Sequence, residues 1–335
     1  MSHDSWKGCP VAVSGATGFL GFHVCRLLIS SGAQVTALVR AFSDTSRLQS
    51  MGIPCVIAPL DEPRLLAEAC RGRQFLFHLA GAVDFNNDWQ LCRKVNVQGT
   101  ANILKAANDA GVARMVHASS IVAIGASKKP VRFDESSPWN LAGKNVPYVS
   151  TKREAEELVL ASRGKTEVVA VNPASIVGPD DFSDSEFGVM CKRFWQGRIP
   201  LVFGGGNNFV DVRDVADGIL RAARLGVPGQ RYILGGTNLS YTSFYSELAR
   251  HANRSIPRFR IPTVLARMAA KISDQFSRKQ RKRPLLTSAQ ARLLGLFFYY
   301  DSSKAVRELG YHSRPLAETV RDAHQFWMGR TCVAA

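Results

Sequence analysis

The chain has 335 residues, 46% of them hydrophobic and 21% charged, a globular composition that excludes a disordered or fibrous protein. Seven scattered cysteines without a C-x-x-C pair argue against a disulfide scaffold and for reduced thiols in the cytoplasm. The net charge of +16 has no zinc, helix-turn-helix or RNP pattern beside it, so the usual nucleic-acid modules are excluded. The opening Met1–Lys7 segment is polar, and no export signal is expected. No run reaches the roughly 20 apolar residues of a spanning helix; Leu293–Tyr300 is the longest suspect and falls well short.

In chain order, the first half alternates strand and helix. Pro10–Ser14 predicts a strand, and Phe19–Ser31 a helix that Gly32 closes. Gln34–Val39, Pro54–Ala58 and Gln74–His78 predict the next three strands. A long helix is expected from about Trp89 to Ala110, ended by Gly111, with Ala113–Ala118 and Glu167–Asn172 as the fifth and sixth strands. Short β-rich runs separated by helical stretches imply an α/β fold, a doubly wound parallel sheet with its ligand at the carboxyl ends of the strands. After Pro173 the pattern loosens into a smaller, mainly helical lobe. Val210–Ala216 is expected to return to the sheet, and Tyr232–Leu234 to add a strand. These readings divide the chain into a dinucleotide-binding domain over 8–178, rejoined by 208–236, and a substrate lobe over 179–207 and 237–330.

Gly15, Gly18 and Gly21 follow the first strand and open the first helix. In that context glycines supply a tight turn, close approach of backbone to phosphate, and close helix–strand packing. Gly15-Ala16-Thr17-Gly18-Phe19-Leu20-Gly21 is therefore the expected pyrophosphate cradle, at the positive end of the helix dipole. The second strand ends Leu38-Val39-Arg40-Ala41, with no acid until Asp44. Arginine at that place accommodates a 2′-phosphate, where an acid would bind the ribose of NAD. NADP(H) is favoured over NAD(H), with Arg47 as a helper or a solvated residue. Leu60 and Asp61, after the third strand, are placed to flank the adenine, the plainer role of Asp61 being a helix cap.

Tyr148 and Lys152 stand at i and i+4, so their side chains share a helix face. A tyrosine with a pKa of about 10 is a poor base near neutrality, and a nearby ammonium is expected to lower it. Ser120, at the end of the fifth strand, is placed to hold a substrate oxygen.

These motifs resemble the extended short-chain dehydrogenase/reductase family, whose sheet is of the Rossmann type, over nearly the whole chain. The resemblance is carried by Ser14–Gly21, His78-Leu79-Ala80-Gly81, Val95–Thr100, His117–Ser120, Tyr148–Lys152, Asn172–Pro179 and Phe209–Ala216. It implies that Ser120, with Ser119 as the fallback, Tyr148 and Lys152 form the catalytic set, without a metal. It also implies that Asn96 supports the lysine through water, if it is not simply a packing residue, and that Ala80 and Pro173 lie against the cofactor. Pro284–Thr287, Phe298–Ala305 and Glu308–Tyr311 are similar to the dihydroflavonol-reductase and 3β-hydroxysteroid-dehydrogenase branches, which implies a bulky, apolar alcohol or ketone. A hopanoid-associated sugar epimerase group shares this tail and keeps an NAD-dependent sugar-nucleotide epimerase or dehydratase as the alternative. A non-catalytic dinucleotide sensor is a third reading. The expected partner is a small-molecule substrate, and the expected state a cytoplasmic monomer or homodimer.

Arg278-Lys279-Gln280-Arg281-Lys282-Arg283 puts five positive charges into six residues between apolar stretches. A solvated basic loop is the plain reading. Peripheral contact with an anionic membrane is the sharper one, at about 1 kcal/mol for each basic residue near the surface.

Overall fold

The computed structural model describes residues 6–199, 201–252, 254–256, 259–260, 262, 264–268, 270 and 286–333. Its strands are β1 (Pro10–Ser14), β2 (Gln34–Val39), β3 (Cys55–Ile57), β4 (Phe75–His78), β5 (Arg114–Ala118), β6 (Arg132–Phe133) and β7 (Glu167–Pro173). Then come β8 (Ser175–Val177), β9 (Leu201–Val202), β10 (Gly206–Asp211), β11 (Arg231–Leu234), β12 (Thr237–Ser240), β13 (Phe259–Arg260) and β14 (Phe297–Tyr300). Seven of them form one parallel sheet in the order β11-β7-β5-β4-β1-β2-β3. Strand order reverses between β1 and β4, which opens the crevice where such sheets bind ligands.

Alternation in the strands decides which layer each side chain enters. Val11 and Val13 pack into one core with Val24 and Leu28 of helix Phe19–Ser30 and Val215 and Ile219 of helix Val212–Leu225. Ala12, between them, faces the opposite core, beside Leu66, Ile103 and Val159 from helices Pro63–Cys70, Gly99–Ala110 and Pro147–Leu160. The sheet is thus covered on both faces, as the sequence pattern predicts.

Two segments depart from expectation. The long helix is broken into Trp89–Cys92, a π-helical turn Arg93–Gln98, and Gly99–Ala110, which ends on Gly111 at φ +71°. Such π turns are rare and cluster at functional sites, and this one carries Asn96. The Val210-centred strand does not return to the main sheet: β10 pairs with β8, β12 and β14 in a second sheet of five short strands that also includes β6. It ends at Asp211, whose carboxylate accepts the Arg213 N–H and caps helix Val212–Leu225. The main sheet instead gains β11. A third core, with Phe194, Phe209, Phe244 and Trp327, fills the space beneath the second sheet. Among the described residues no helix is long and apolar enough to cross a membrane.

Candidate active site

All strands of the main sheet run parallel, so their carboxyl ends share one edge. The predicted residues follow those ends: Gly15 after β1, Arg40 after β2, Leu60 and Asp61 after β3, Ala80 after β4, Ser120 after β5 and Pro173 at the end of β7.

Gly15 turns the chain at φ +73°, a left-handed conformation that favours glycine. A Cβ there would lie 2.5 Å from the Ala80 nitrogen, so only a bare backbone lets β1 and the Ala80 loop meet. At Gly21 a Cβ would fall on the Gly15 carbonyl oxygen, which seats helix Phe19–Ser30 tightly against the turn. The helix starts at Gly18 without a side-chain cap, leaving its first N–H groups directed outward from a positive dipole end. Backbone donors in a cradle with no room for side chains suit a pyrophosphate.

A cleft opens between this turn and residues of the Asp44–Leu48 and Asp180–Ser183 segments. The Arg47 guanidinium lies 4.1 Å over the Phe182 ring and 3.5 Å from the Asp44 carboxylate, while Arg26 pins Asp180 at 2.8 Å. Asp44 also accepts the Ser46 N–H and hydroxyl at 3.0 and 2.6 Å. Arg40 is exposed. Beyond β3, the Leu60 carbonyl accepts the Asn102 amide at 2.8 Å. Asp61 is paired with Lys94 at 2.8 Å, and that partner holds its carboxyl below the usual range.

Helix Pro147–Leu160 opens with proline at its first position, where no N–H is needed. It brings Tyr148 into the interior against the Phe85 ring, at 5.3 Å between centroids. Burial pushes the phenol above its usual range, and the Ser120 side chain beside it opposes that shift. This differs from the expected lowering by Lys152. Burial is the largest influence on the phenol, and the Lys152 ammonium donates to the Ala118 carbonyl at 2.8 Å. Burial lowers the lysine itself to about 8, against the opposing field of Glu156. Of the two serines, Ser120 meets Tyr148; the Ser119 hydroxyl is buried without a hydrogen-bond partner.

Asn96 clamps two segments. Its amide donates to the Ala82 carbonyl at 3.1 Å and to the Thr151 hydroxyl at 3.0 Å, while its oxygen accepts the Ala82 N–H at 2.8 Å. A Cβ on Gly81 would lie 3.1 Å from the Lys152 ammonium, so the clamped loop passes directly over the lysine.

Sequence reasoning missed a buried network behind the serine. The Asn172 amide donates to the Ser120 carbonyl at 3.0 Å and to the Glu156 carboxylate, which Arg231 meets at 2.8 Å. Glu156 stands one turn beyond Lys152, a spacing that could have flagged it. Arg231 comes from the far strand β11, and nothing local marks it. His78, pushed down to about 3 by burial and by the Lys152 charge, bridges the Ser14 and Thr100 hydroxyls at 2.7 and 3.0 Å. The basic segment Arg278–Arg283 lies outside the described residues.

Residues 11–235 match the NAD dependent epimerase/dehydratase family. The chain is 32% identical to sterol demethylase protein B of Methylococcus capsulatus, over 89% of this chain and 92% of that protein. It is also 32% identical to the 4-hydroxy-2-methyl-3-oxo-4-farnesyl-3,4-dihydroquinoline-1-oxide ketoreductase of Stigmatella aurantiaca, over 93% and 94% of the two chains. The crystal structure of gox2253 superposes with a TM-score of 0.83 at 31% identity, covering 96% of this chain and 98% of that one. MoeE5 in complex with UDP-glucuronic acid and NAD shares the fold, with a TM-score of 0.72 at 23% identity and coverage of 96% and 99%. With the glycine turn and the serine, tyrosine and lysine gathered on one sheet edge, the chain belongs to the NAD-dependent epimerase/dehydratase family, among the extended short-chain dehydrogenases/reductases, as an NAD(P)-dependent enzyme.

Proposed function

We propose that this protein is an NADP(H)-dependent oxidoreductase that interconverts a ketone and a secondary alcohol on a bulky, apolar substrate. The observation that carries this reading is the buried Tyr148 phenol, with Ser120 beside it and Lys152 one turn on, at the same sheet edge as the glycine turn. Names among the relatives support the substrate class: one is a sterol demethylase protein and another a farnesyl-quinoline ketoreductase.

The cradle fits a dinucleotide. Gly15, Thr17, Gly18, Phe19, Leu20 and Gly21 would hold the pyrophosphate. Leu60, Asp61 and Ala80 would lie toward the adenine half, and Tyr148, Lys152 and Pro173 toward the nicotinamide. Arg40 favours the 2′-phosphate, because the one nearby acid, Asp44, is already engaged by Ser46 and Arg47. When bound, the nicotinamide supplies or accepts the hydride. The chain's own residues handle the oxygen. Ser120 donates a hydrogen bond to the substrate carbonyl, and Tyr148 gives it the proton. A phenol kept protonated by burial suits the acid role in the reductive direction, and the phenolate left behind is the base in the reverse one. Lys152, still charged at neutral pH with a value of about 8, compensates the phenolate that forms. We place the enzyme in the cytoplasm, in keeping with its scattered, unpatterned thiols.

Incubating the purified protein with NADPH or NADH and a panel of sterol, flavonoid, long-chain and nucleotide-sugar ketones tests this reading. Net consumption of NADPH with an apolar ketone is the expected result. Tightly retained NAD(H), with nucleotide-sugar epimers interconverting and no net cofactor turnover, would overturn it.

A further inference from the structure

Before helix Pro147–Leu160 is an open cavity of about 440 Å³ lined by Gly143, Lys144, Arg267, Ser288 and Arg292. Three of these five residues are cations. Among the described residues no carboxylate pairs with the exposed Arg267, the half-buried Arg292 or Lys144, whereas Arg114, Arg213, Arg231 and Arg314 each meet one. Burial and the charges of Arg267 and Lys128 together hold the Lys144 ammonium below its usual range. Like charges gathered around one hollow repel each other unless an anion fills it.

The two arginines are fixed in place. Arg267 donates to the Ala291 carbonyl at 3.1 Å and to the Leu294 carbonyl at 3.4 Å. Arg292 donates to the Ser288 carbonyl at 3.3 Å, to the Asn87 side chain at 3.0 Å and to the Asn145 carbonyl. Those last two contacts connect the cavity to the reacting end. Asn145 lies three residues before Tyr148, and Asn87 two residues after Phe85, whose ring packs on the tyrosine. Lys144, in the turn Ala142–Lys144, makes no side-chain hydrogen bond among the described residues and is free to serve a ligand.

Size and surroundings narrow the ligand. At roughly 30 Å³ per water the cavity holds more than a dozen, enough for an anionic group and several attached carbons. The helical segment 264–268 that carries Arg267 also exposes Val264, Leu265 and Met268, at 64%, 55% and 59%. An apolar surface beside cations that no carboxylate meets among the described residues matches an acidic, otherwise apolar compound.

We propose that this cavity is an anion subsite that takes a carboxylate or phosphate carried by the substrate, so that the enzyme acts on acidic apolar compounds. The inference rests on the ketone–alcohol reading above. Calorimetry with inorganic phosphate, on the wild-type protein and on Lys144→Gln and Lys144→Glu, tests the site without any turnover. Phosphate should bind the wild type, with affinity falling about tenfold in Lys144→Gln and further in Lys144→Glu, while thermal unfolding stays put. Equal binding by all three proteins, or none by the wild type, would overturn the proposal.

A matched pair of apolar ketones, one carrying a terminal carboxylate, then identifies the source of the anion. The wild type should favour the acid by about tenfold in kcat/KM, the ratio should collapse in Lys144→Gln, and phosphate should compete with the acid. Stimulation of the neutral ketone by phosphate would instead mark a free regulatory anion and overturn the substrate subsite. If phosphate binding depends on Lys144 but neither ketone is reduced, the anion site is supported and the ketone reading fails.

Discussion

At the carboxyl edge of the main sheet, backbone meets backbone: Gly15 passes the Ala80 nitrogen, and Gly21 seats on the Gly15 carbonyl. Beneath the second sheet, side chain meets side chain: Phe209 stacks on Phe244 at 3.7 Å between centroids, and Phe194 on Tyr245 at 5.3 Å. The difference decides what each region can tolerate. An edge without room for one extra carbon admits almost no substitution, whereas a side-chain core accepts swaps that conserve volume. A lobe of the second kind can be reshaped for new substrates while the cofactor edge stays fixed.

If the edge alone carries the chemistry, Tyr148→Phe should lower turnover by about 10²–10⁴-fold. Dinucleotide affinity and the unfolding midpoint should hold, since the phenol hydroxyl is the only group removed. Steady-state rates beside a binding titration check this, and near-normal rates would remove Tyr148 from the reaction. Phe244→Ala attacks the other region. Loss of a fully buried stacking partner should cost about 3–5 kcal/mol in denaturant unfolding, yet leave dinucleotide affinity of the folded protein unchanged. A parallel fall in affinity would show that the two regions are not independent.

Gly15→Ala probes the edge without touching a chemical group. The left-handed turn alone costs about 1–2 kcal/mol with a Cβ, and the Ala80 nitrogen stands in the way. Dinucleotide affinity should fall about tenfold or more, and calorimetry on the folded variant measures it. Unaltered affinity would mean that the cradle is not where the pyrophosphate sits.

The edge also has a pH dependence of its own. Lys152 titrates at about 8 in the fold, below its ordinary value of about 10.4. Its buried ammonium therefore weakens the fold at neutral pH, and stability without cofactor should rise as pH climbs from about 8 to about 10.4. Lys152→Met should abolish that rise. Turnover should do the opposite and fall above about pH 8, as the ammonium is lost. Chemical unfolding and rates across this window check both signs.

The same contrast explains what could be read from sequence. The glycines, the Tyr148–Lys152 spacing and the strands of the main sheet leave local signatures, because each depends on neighbours a few residues away. Glu156 carries only its one-turn spacing from Lys152 as a local sign, and the distant Arg231 and Asn172 make it a buried anchor for the Ser120 loop. The π turn at Asn96 has no propensity signal; contacts to Ala82 and Thr151 accompany it. β10 reads as a strand, but its sheet is set by pairing with β8, β12 and β14. The bond from Lys152 to the Ala118 carbonyl was equally beyond a spacing argument.

The central claim is that this edge performs net hydride transfer to a ketone, with Tyr148 supplying the proton. The most direct test follows deuterium from NADPH labelled at C4 of the nicotinamide into the product of an apolar ketone. The account predicts one deuterium on the new carbinol carbon for each NADPH oxidised. Product formed without label and without net NADPH oxidation, as in an epimerase that recycles its own cofactor, would contradict it.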